Sequence, residues 1–149
     1  MTGTTISVTR HAAWRWPLRT TRFATAAGLA IDSYVHFNLA SEYAETGGTI
    51  NEGALFRVEA AVAVLAAVAV IVSGRLAVLL VALLVSGSAL TVMLVSRYND
   101  IGPIGPIPSL YDPVWYPEKL LAAFAEGAAT VTALAGAIAT GWTARPRTS

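Results

Sequence analysis

The sequence predicts an all-α integral membrane protein, a four-helix antiparallel bundle with both termini on the same side of the membrane. Of the 149 residues, 55% are hydrophobic and only 13% are charged, whereas a soluble domain carries about 25% charged residues. The hydrophobic residues form four long runs, and the mean hydropathy is +0.59. Acidic and basic residues also separate into different connecting segments, which indicates a fixed orientation.

Each of the four runs is close to the length of about 20 residues that crosses a hydrocarbon core as a helix. A basic segment, residues 1–22, comes before them, and a short tail, residues 143–149, follows them. Asp32 and His36 interrupt the first run, which argues against a cleaved signal peptide. Residues 23–142 therefore form one predicted bundle, with spans at 23–43, 53–74, 76–96 and 118–142.

The distribution of Lys and Arg predicts the orientation, because cytoplasmic segments of membrane proteins are enriched in both. Seven of the ten lie before the first span, in the turn between the second and third spans, or after the fourth. They are Arg10, Arg15, Arg19, Arg22, Arg75, Arg145 and Arg147. No acidic residue lies in those segments. The sequence thus predicts a multi-pass protein of the plasma (inner) membrane with both termini in the cytoplasm.

The fourth span is predicted to be a packing helix. Small residues recur along it at every fourth position and form one ridge: Ala125, Ala129, Ala133, Ala137 and Gly141. Small residues let helix backbones approach closely, which is how helices associate inside a membrane. Such ridges predict tight packing within the bundle, or docking of a membrane protein partner or a second copy of the chain.

The extracytoplasmic loop between the third and fourth spans contains five of the seven prolines. Proline at these positions excludes a regular helix or a central strand. The loop is also too apolar for a solvated linker, because it contains Ile101, Ile104, Ile107 and Leu110. We expect it to fold over the outer mouth of the bundle.

Ionisable residues within the apolar runs are the candidates for function, because a charge at bilayer depth is costly. Asp32, His36, Glu59 and Glu126 lie roughly 9 to 16 Å below the outer helix ends at 1.5 Å per residue. Asp32 and His36 are four residues apart and share one helix face. Three basic residues lie near the same side and complete a candidate ligand or proton site: Arg57, Arg97 and Lys119. Arg57 and Glu59 are about 200° apart around a helix, so they do not face one cavity.

Three interpretations of this cluster are open. The first is a structural network that fixes helix register, and the second is a ligand or proton site that opens outward. The third is a metal site in which Asp32, His36, Glu59 and Glu126 supply three oxygens and one nitrogen. The paired Glu-x-x-His motifs of di-iron bundles are missing, so no metal is predicted.

Several function classes are excluded by what the sequence lacks. There is no cysteine, which excludes disulfides, thiolate metal sites and cysteine nucleophiles. Motifs for nucleotide binding, zinc proteases and serine hydrolases are missing. A net charge of +1 gives no case for nucleic-acid binding. No catalytic residue and no cofactor are predicted.

Three segments, "EGALFRVEA", "SRYNDIGPIGPIPSLYDPVWYPEK" and "AFAEGAAT", resemble small four-span integral membrane proteins of actinobacteria. The resemblance covers roughly Val35 to Ile138 and implies the fold, but no activity. In size and span count alone the chain is also similar to DoxX-like proteins.

The sequence favours a non-enzymatic accessory or ligand-binding component with a polar pocket in the outer half of the bundle. The expected partners are the lipid bilayer and a small lipid or quinone, with a membrane protein or a second copy at the fourth span. The alternative is a proton-coupled carrier, or a quinone- or metal-handling protein, that uses the buried Asp/His/Glu cluster.

Overall fold

A computed structural model describes residues 15–45 and 49–143. It contains four helices in the described ranges, and the predicted all-α class is therefore confirmed. The helices are α1 (Arg15–Leu39), α2 (Glu52–Val72), α3 (Leu76–Tyr98) and α4 (Pro117–Thr143). The basic residues predicted to flank the bundle at its two termini, Arg10, Arg145 and Arg147, lie outside the described residues.

Three of the helices, α2, α3 and α4, are long and apolar enough to cross a membrane. Helix α1 has 25 residues and is also long enough, but it is more polar. Arg19 and Arg22 lie in its first half, and Asp32 and His36 lie in its second half. The structure thus has the apolar helices of a membrane protein, and α1 is the polar member of the bundle.

The bounds of α1 differ from the predicted span at residues 23–43. The helix begins eight residues earlier, at Arg15, and ends at Leu39. After Leu39 the chain turns, with the main-chain N–H groups of Glu42 and Tyr43 both donating to the Leu39 carbonyl. The turn lies against the start of α2, where a Cβ on Gly53 would collide with the main-chain oxygen of Ala40.

The helices form a ring in chain order, in which α4 closes back onto α1. Helix α1 packs most extensively, against both α4 and α2, whereas α2 and α3 pack least extensively of the four neighbouring pairs. We call the end where α2 finishes and α3 begins the closed end. The cavity end is the opposite one, where α1 and α3 finish and α2 and α4 begin.

The small-residue ridge of α4 packs inside the bundle. Four of its alanines are buried: Ala125, Ala129, Ala133 and Ala137. On α1, a Cβ at Gly28 would lie 2.7 Å from the main-chain oxygen of Ala125 and 3.0 Å from the Cβ of Ala129. Only glycine permits this approach, which brings the two helices together one turn before Asp32.

The closed end is held by hydrogen bonds between helices. The Arg22 guanidinium donates to the carbonyls of Val70, at 3.0 and 3.2 Å, and Ile71, at 2.8 Å. Carbonyls in a last helical turn have no partner within the helix, and a cation there is favourable. The hydroxyls of Thr25 and Thr132 are 2.8 Å apart and join α1 to α4.

Candidate ligand cavity

A cavity of about 350 Å³ lies between the four helices at the cavity end. Its walls are mostly apolar and come from every helix: Val35, Leu39, Leu55, Phe56, Ala89, Val92, Met93 and Ala122. Its polar lining includes His36 of α1, Glu59 of α2 and Glu126 of α4. Glu126 lies nine residues into α4, about 13 Å from the start of the helix at 1.5 Å per residue. These three side chains therefore form a floor well inside the bundle.

Asp32, directly beside this floor, joins His36 and Glu126 in a compact cluster. One carboxylate oxygen of each acid and one ring nitrogen of His36 all lie within 4.8 Å of one another. His36 Nδ1 is 2.9 Å from Asp32 Oδ1 and also bonds the main-chain oxygen of Asp32 at 3.1 Å. Of these two contacts only the second has hydrogen-bond geometry, so the first is an electrostatic contact.

The acids of the cluster lack hydrogen-bond partners although they are buried. Asp32 and Glu126 are 0% exposed, and all four of their carboxylate oxygens have no hydrogen bond. One carboxylate oxygen of Glu59 is also buried without a hydrogen bond. A buried polar atom without a partner costs about 1 to 3 kcal/mol, and more if it is charged. A bound group that supplies the missing contacts would remove this cost.

Glu59 lies close enough to interact electrostatically with Asp32, His36 and Glu126. A hydrogen bond fixes the height of Glu59 in the bundle. The Ser33 hydroxyl of α1 donates to the carbonyl of Ala60, the residue after Glu59, at 2.7 Å. The structure thus brings together all four ionisable residues that the sequence places within the apolar runs.

The three basic residues of the predicted site lie away from the acidic floor, although Lys119 lines the cavity. Lys119 is buried at the cavity rim, where its ammonium donates to the Asp112 carbonyl at 2.6 Å and pairs with its carboxylate at 3.0 Å. The guanidinium of Arg97 stacks over the ring of Tyr98 at 5.1 Å and that of Trp115 at 5.7 Å. Arg57 is exposed and does not line the cavity. None of the three therefore neutralises the acidic floor.

The proline-rich loop contributes the other side of the cavity. Ile104 and Ile107 pair across a two-residue turn, which requires the positive φ of 59° at Gly105. Ile107 and Leu110 then line the cavity. Closer to α4, a hydrogen bond attaches the loop to α3, since the N–H of Asp112 donates to the Ser96 carbonyl at 3.2 Å.

Two tyrosines connect this loop to the turn after α1. The hydroxyl groups of Tyr43 and Tyr116 are 3.1 Å apart, and both residues line the cavity. Burial raises the pKa of the Tyr116 phenol, and the hydrogen bond with Tyr43 raises it further. Tyr116 therefore stays uncharged and holds the rim together as a hydrogen-bonding group.

The cavity also reaches the side of the bundle between α2 and α3. Val58 of α2 and Val92 of α3 both line it, yet they are 62% and 52% exposed. Ser88 of α3 lines it as well and is exposed. An apolar opening between the two least extensively packed helices leads from the outer surface of the bundle to the acidic floor.

Sequence reasoning missed the pairing of Lys119 with Asp112 and the contribution of Phe56. Asp112 precedes Lys119 by seven residues across the start of α4, so no helical spacing relates the two. Phe56 packs its ring edge-on against His36, with the ring centroids 5.2 Å apart. Its position three residues before Glu59 was the available signal, because residues i and i+3 share a helix face.

Comparison with known protein families, curated proteins and solved structures finds no match to this chain.

Proposed function

We propose that the chain is a four-span, non-enzymatic membrane protein that binds an amphipathic small molecule with a positively charged or hydrogen-bond-donating head. One observation carries the proposal, namely a cavity with apolar walls whose floor contains carboxylate oxygens of Glu59 and Glu126 that are buried without a hydrogen bond. Ligand pockets commonly combine apolar walls with a few convergent polar groups.

The contacts of α1 support a fourth span. On α1, Arg22 bonds the last turn of α2 and Ser33 bonds its middle, and in the turn after α1 the Tyr43 carbonyl accepts from Gly53 at the beginning of α2. Helix α1 therefore follows α2 along its whole length, and it crosses a membrane if α2 does. Four large apolar or aromatic residues of α1 face outward: Phe23, Ile31, Tyr34 and Phe37.

The charges of the connecting segments support an orientation. Arg19, Arg22 and Arg75 lie at the closed end, which we assign to the cytoplasm because such segments are rich in Lys and Arg. The exposed acids Glu42, Glu45 and Glu118 lie at the cavity end. The cavity then opens in the outer half of the plasma membrane.

The chemistry of the floor selects the class of ligand. Glu59 and Glu126 of the floor and Asp32 directly beside it contribute six carboxylate oxygens, whereas His36 is the one basic group among these four residues. Carboxylate oxygens accept hydrogen bonds and attract cations. An amine head satisfies them, whereas the carbonyl oxygens of a quinone or neutral lipid offer only further acceptors. The opening between α2 and α3 lets an alkyl chain enter from the bilayer.

The test uses three molecules that share one chain and differ in the head group, namely octylamine, octanol and octanoate. Binding is measured by calorimetry on protein in nanodiscs, with empty nanodiscs as the blank. We expect octylamine to bind most tightly. The Glu59→Gln/Glu126→Gln double variant should bind octylamine at least about tenfold more weakly, because 1.4 kcal/mol of lost interaction is a factor of ten.

A matched control replaces an exposed acid at the same end, Glu45→Gln, and should leave binding unchanged. The proposal is contradicted if the wild type binds the three molecules with equal affinity. It is also contradicted if the double variant binds octylamine as tightly as the wild type does. Preferential binding of a short-chain benzoquinone over octylamine would instead favour a quinone site.

A further inference from the structure

Beyond binding of an amphipathic molecule, we infer that Asp32, His36 and Glu126 form a binding site for one divalent transition-metal ion, of the Mn²⁺, Fe²⁺ or Zn²⁺ class. The donor set is two carboxylates and one imidazole, which suits these ions better than soft cations that prefer sulfur.

The spacing of the cluster fits such an ion. Ligand atoms that lie about 2.0 to 2.2 Å from one tetrahedral metal ion are separated from each other by about 3.3 to 3.6 Å. The three available atoms lie within 4.8 Å of one another. Side-chain adjustments of about 1 Å therefore bring them into bonding range.

The orientation of His36 also fits. Its Nδ1 is 2.9 Å from Asp32 Oδ1, so this nitrogen lies within the cluster. With the proton on Nε2, the lone pair of the imidazole is on Nδ1 and is available to a metal ion.

The unpartnered oxygens are the second and independent observation. Asp32 and Glu126 are fully buried, and all four of their oxygens lack a hydrogen bond. One divalent cation balances two carboxylates, so the occupied site is neutral and suited to bilayer depth.

The metal would be reached from the cavity. His36 and Glu126 line the cavity, whereas Asp32 lies behind them. Three protein ligands leave at least one coordination position open on a four-coordinate ion. This position faces the cavity, where water could complete the shell.

The test starts from tag-free protein stripped with a chelator, in detergent, and uses Mn²⁺ and Co²⁺ as probes. We expect one equivalent of either ion to bind. Pulsed electron paramagnetic resonance of bound Mn²⁺ should show coupling to one imidazole nitrogen. His36→Gln and Glu126→Gln should each weaken Mn²⁺ binding by more than about tenfold, because each removes one of three ligands.

Two further variants separate this inference from the proposed function. Glu59→Gln removes an acid of the floor that is outside the three-ligand set, so it should weaken octylamine binding and retain Mn²⁺ binding. The Glu45→Gln variant should bind both octylamine and Mn²⁺ as the wild type does. Wild-type protein that binds no stoichiometric Mn²⁺ or Co²⁺, or binds Mn²⁺ without a nitrogen coupling, overturns the metal site. The spectrum of the wild type decides the question even if a variant does not fold.

Discussion

The two ends of the bundle differ in whether their buried polar groups are hydrogen-bonded. At the closed end the Arg22 guanidinium makes three hydrogen bonds to carbonyls of α2, and Thr25 bonds Thr132. In the described part of the chain, the buried side-chain nitrogen and oxygen atoms without a hydrogen bond all belong to the cavity end. They are contributed by Asp32, Glu59, Arg97 and Glu126.

If the proposed function is right, this difference separates structural polar groups from those that bind a ligand. A buried group whose hydrogen bonds are satisfied within the protein contributes to stability and leaves nothing for a ligand to add. A buried group without partners lowers the stability of the free protein, and such strain is characteristic of binding sites. Substitutions at the two ends should therefore differ in the sign of their effect on stability.

The largest expected effect is at the contact that positions the cluster. Gly28→Ala places a Cβ 2.7 Å from the Ala125 carbonyl oxygen, so α1 and α4 must separate. Overpacking against a main-chain atom, which no side-chain rotation relieves, should cost about 3 kcal/mol or more. The matched control is Gly127→Ala on α4, where a Cβ meets nothing within 4 Å. We expect it to leave the free energy of unfolding unchanged or to raise it by up to about 1 kcal/mol.

Both variants are measured by chemical unfolding in detergent micelles. Equal stability of Gly28→Ala and Gly127→Ala would show that the close approach of α1 and α4 is not required, and that the cluster is held in another way.

The next effect is at the closed end. Arg22→Met removes charge-assisted hydrogen bonds to the last turn of α2 and should lower the free energy of unfolding by about 1.5 to 3 kcal/mol. Arg19→Met removes an exposed arginine from the same helix and serves as the control. A loss of stability no greater than that of the control would contradict the assignment of Arg22 as a stabilising contact.

A smaller effect is expected at the cavity rim. Lys119→Met should cost about 1 kcal/mol, because Lys119 pairs with Asp112, whose side chain is 30% exposed. The double variant with Asp112→Asn should cost less than the sum of the two single variants. Stability is measured by thermal unfolding of the wild type, the two single variants and the double variant. If the two single losses add up to the loss of the double variant, this pair does not anchor the loop.

The smallest effect belongs to the threonine pair. Thr25→Val removes its hydrogen bond to Thr132, and such bonds between membrane helices average about 0.6 kcal/mol. Thr132 keeps its bond to the Ala128 carbonyl at 2.7 Å, which limits the loss. A stability change above about 2 kcal/mol would mean that the contact also determines helix register.

Much of the fold follows from the sequence because hydrophobic runs of membrane length predict helices directly. The predicted ranges 53–74 and 76–96 differ from α2 and α3 by two residues or fewer at each end. The start of α1 could not be predicted from hydropathy, because its first residues include Arg15 and Arg19 and precede the apolar run. Arg22 is helical and bonds α2, whereas sequence analysis placed it only among the flanking basic residues.

For the candidate site, helical spacing and depth were sufficient to propose that Asp32, His36, Glu59 and Glu126 face a common region. The partners of Arg97 and Lys119 depend on how an irregular loop folds, and no periodicity describes such a loop. The lack of hydrogen bonds at Asp32 and Glu126 also required coordinates, since it depends on distances of a few tenths of an ångström.

The most direct test of the central claim is the unfolding free energy of the Glu59→Gln/Glu126→Gln double variant, measured without ligand beside the wild type. If these acids form a binding site, the variant should be as stable as the wild type or more stable, with octylamine binding lost. If they form a structural network, the variant should lose about 3 kcal/mol or more. That loss would contradict the account.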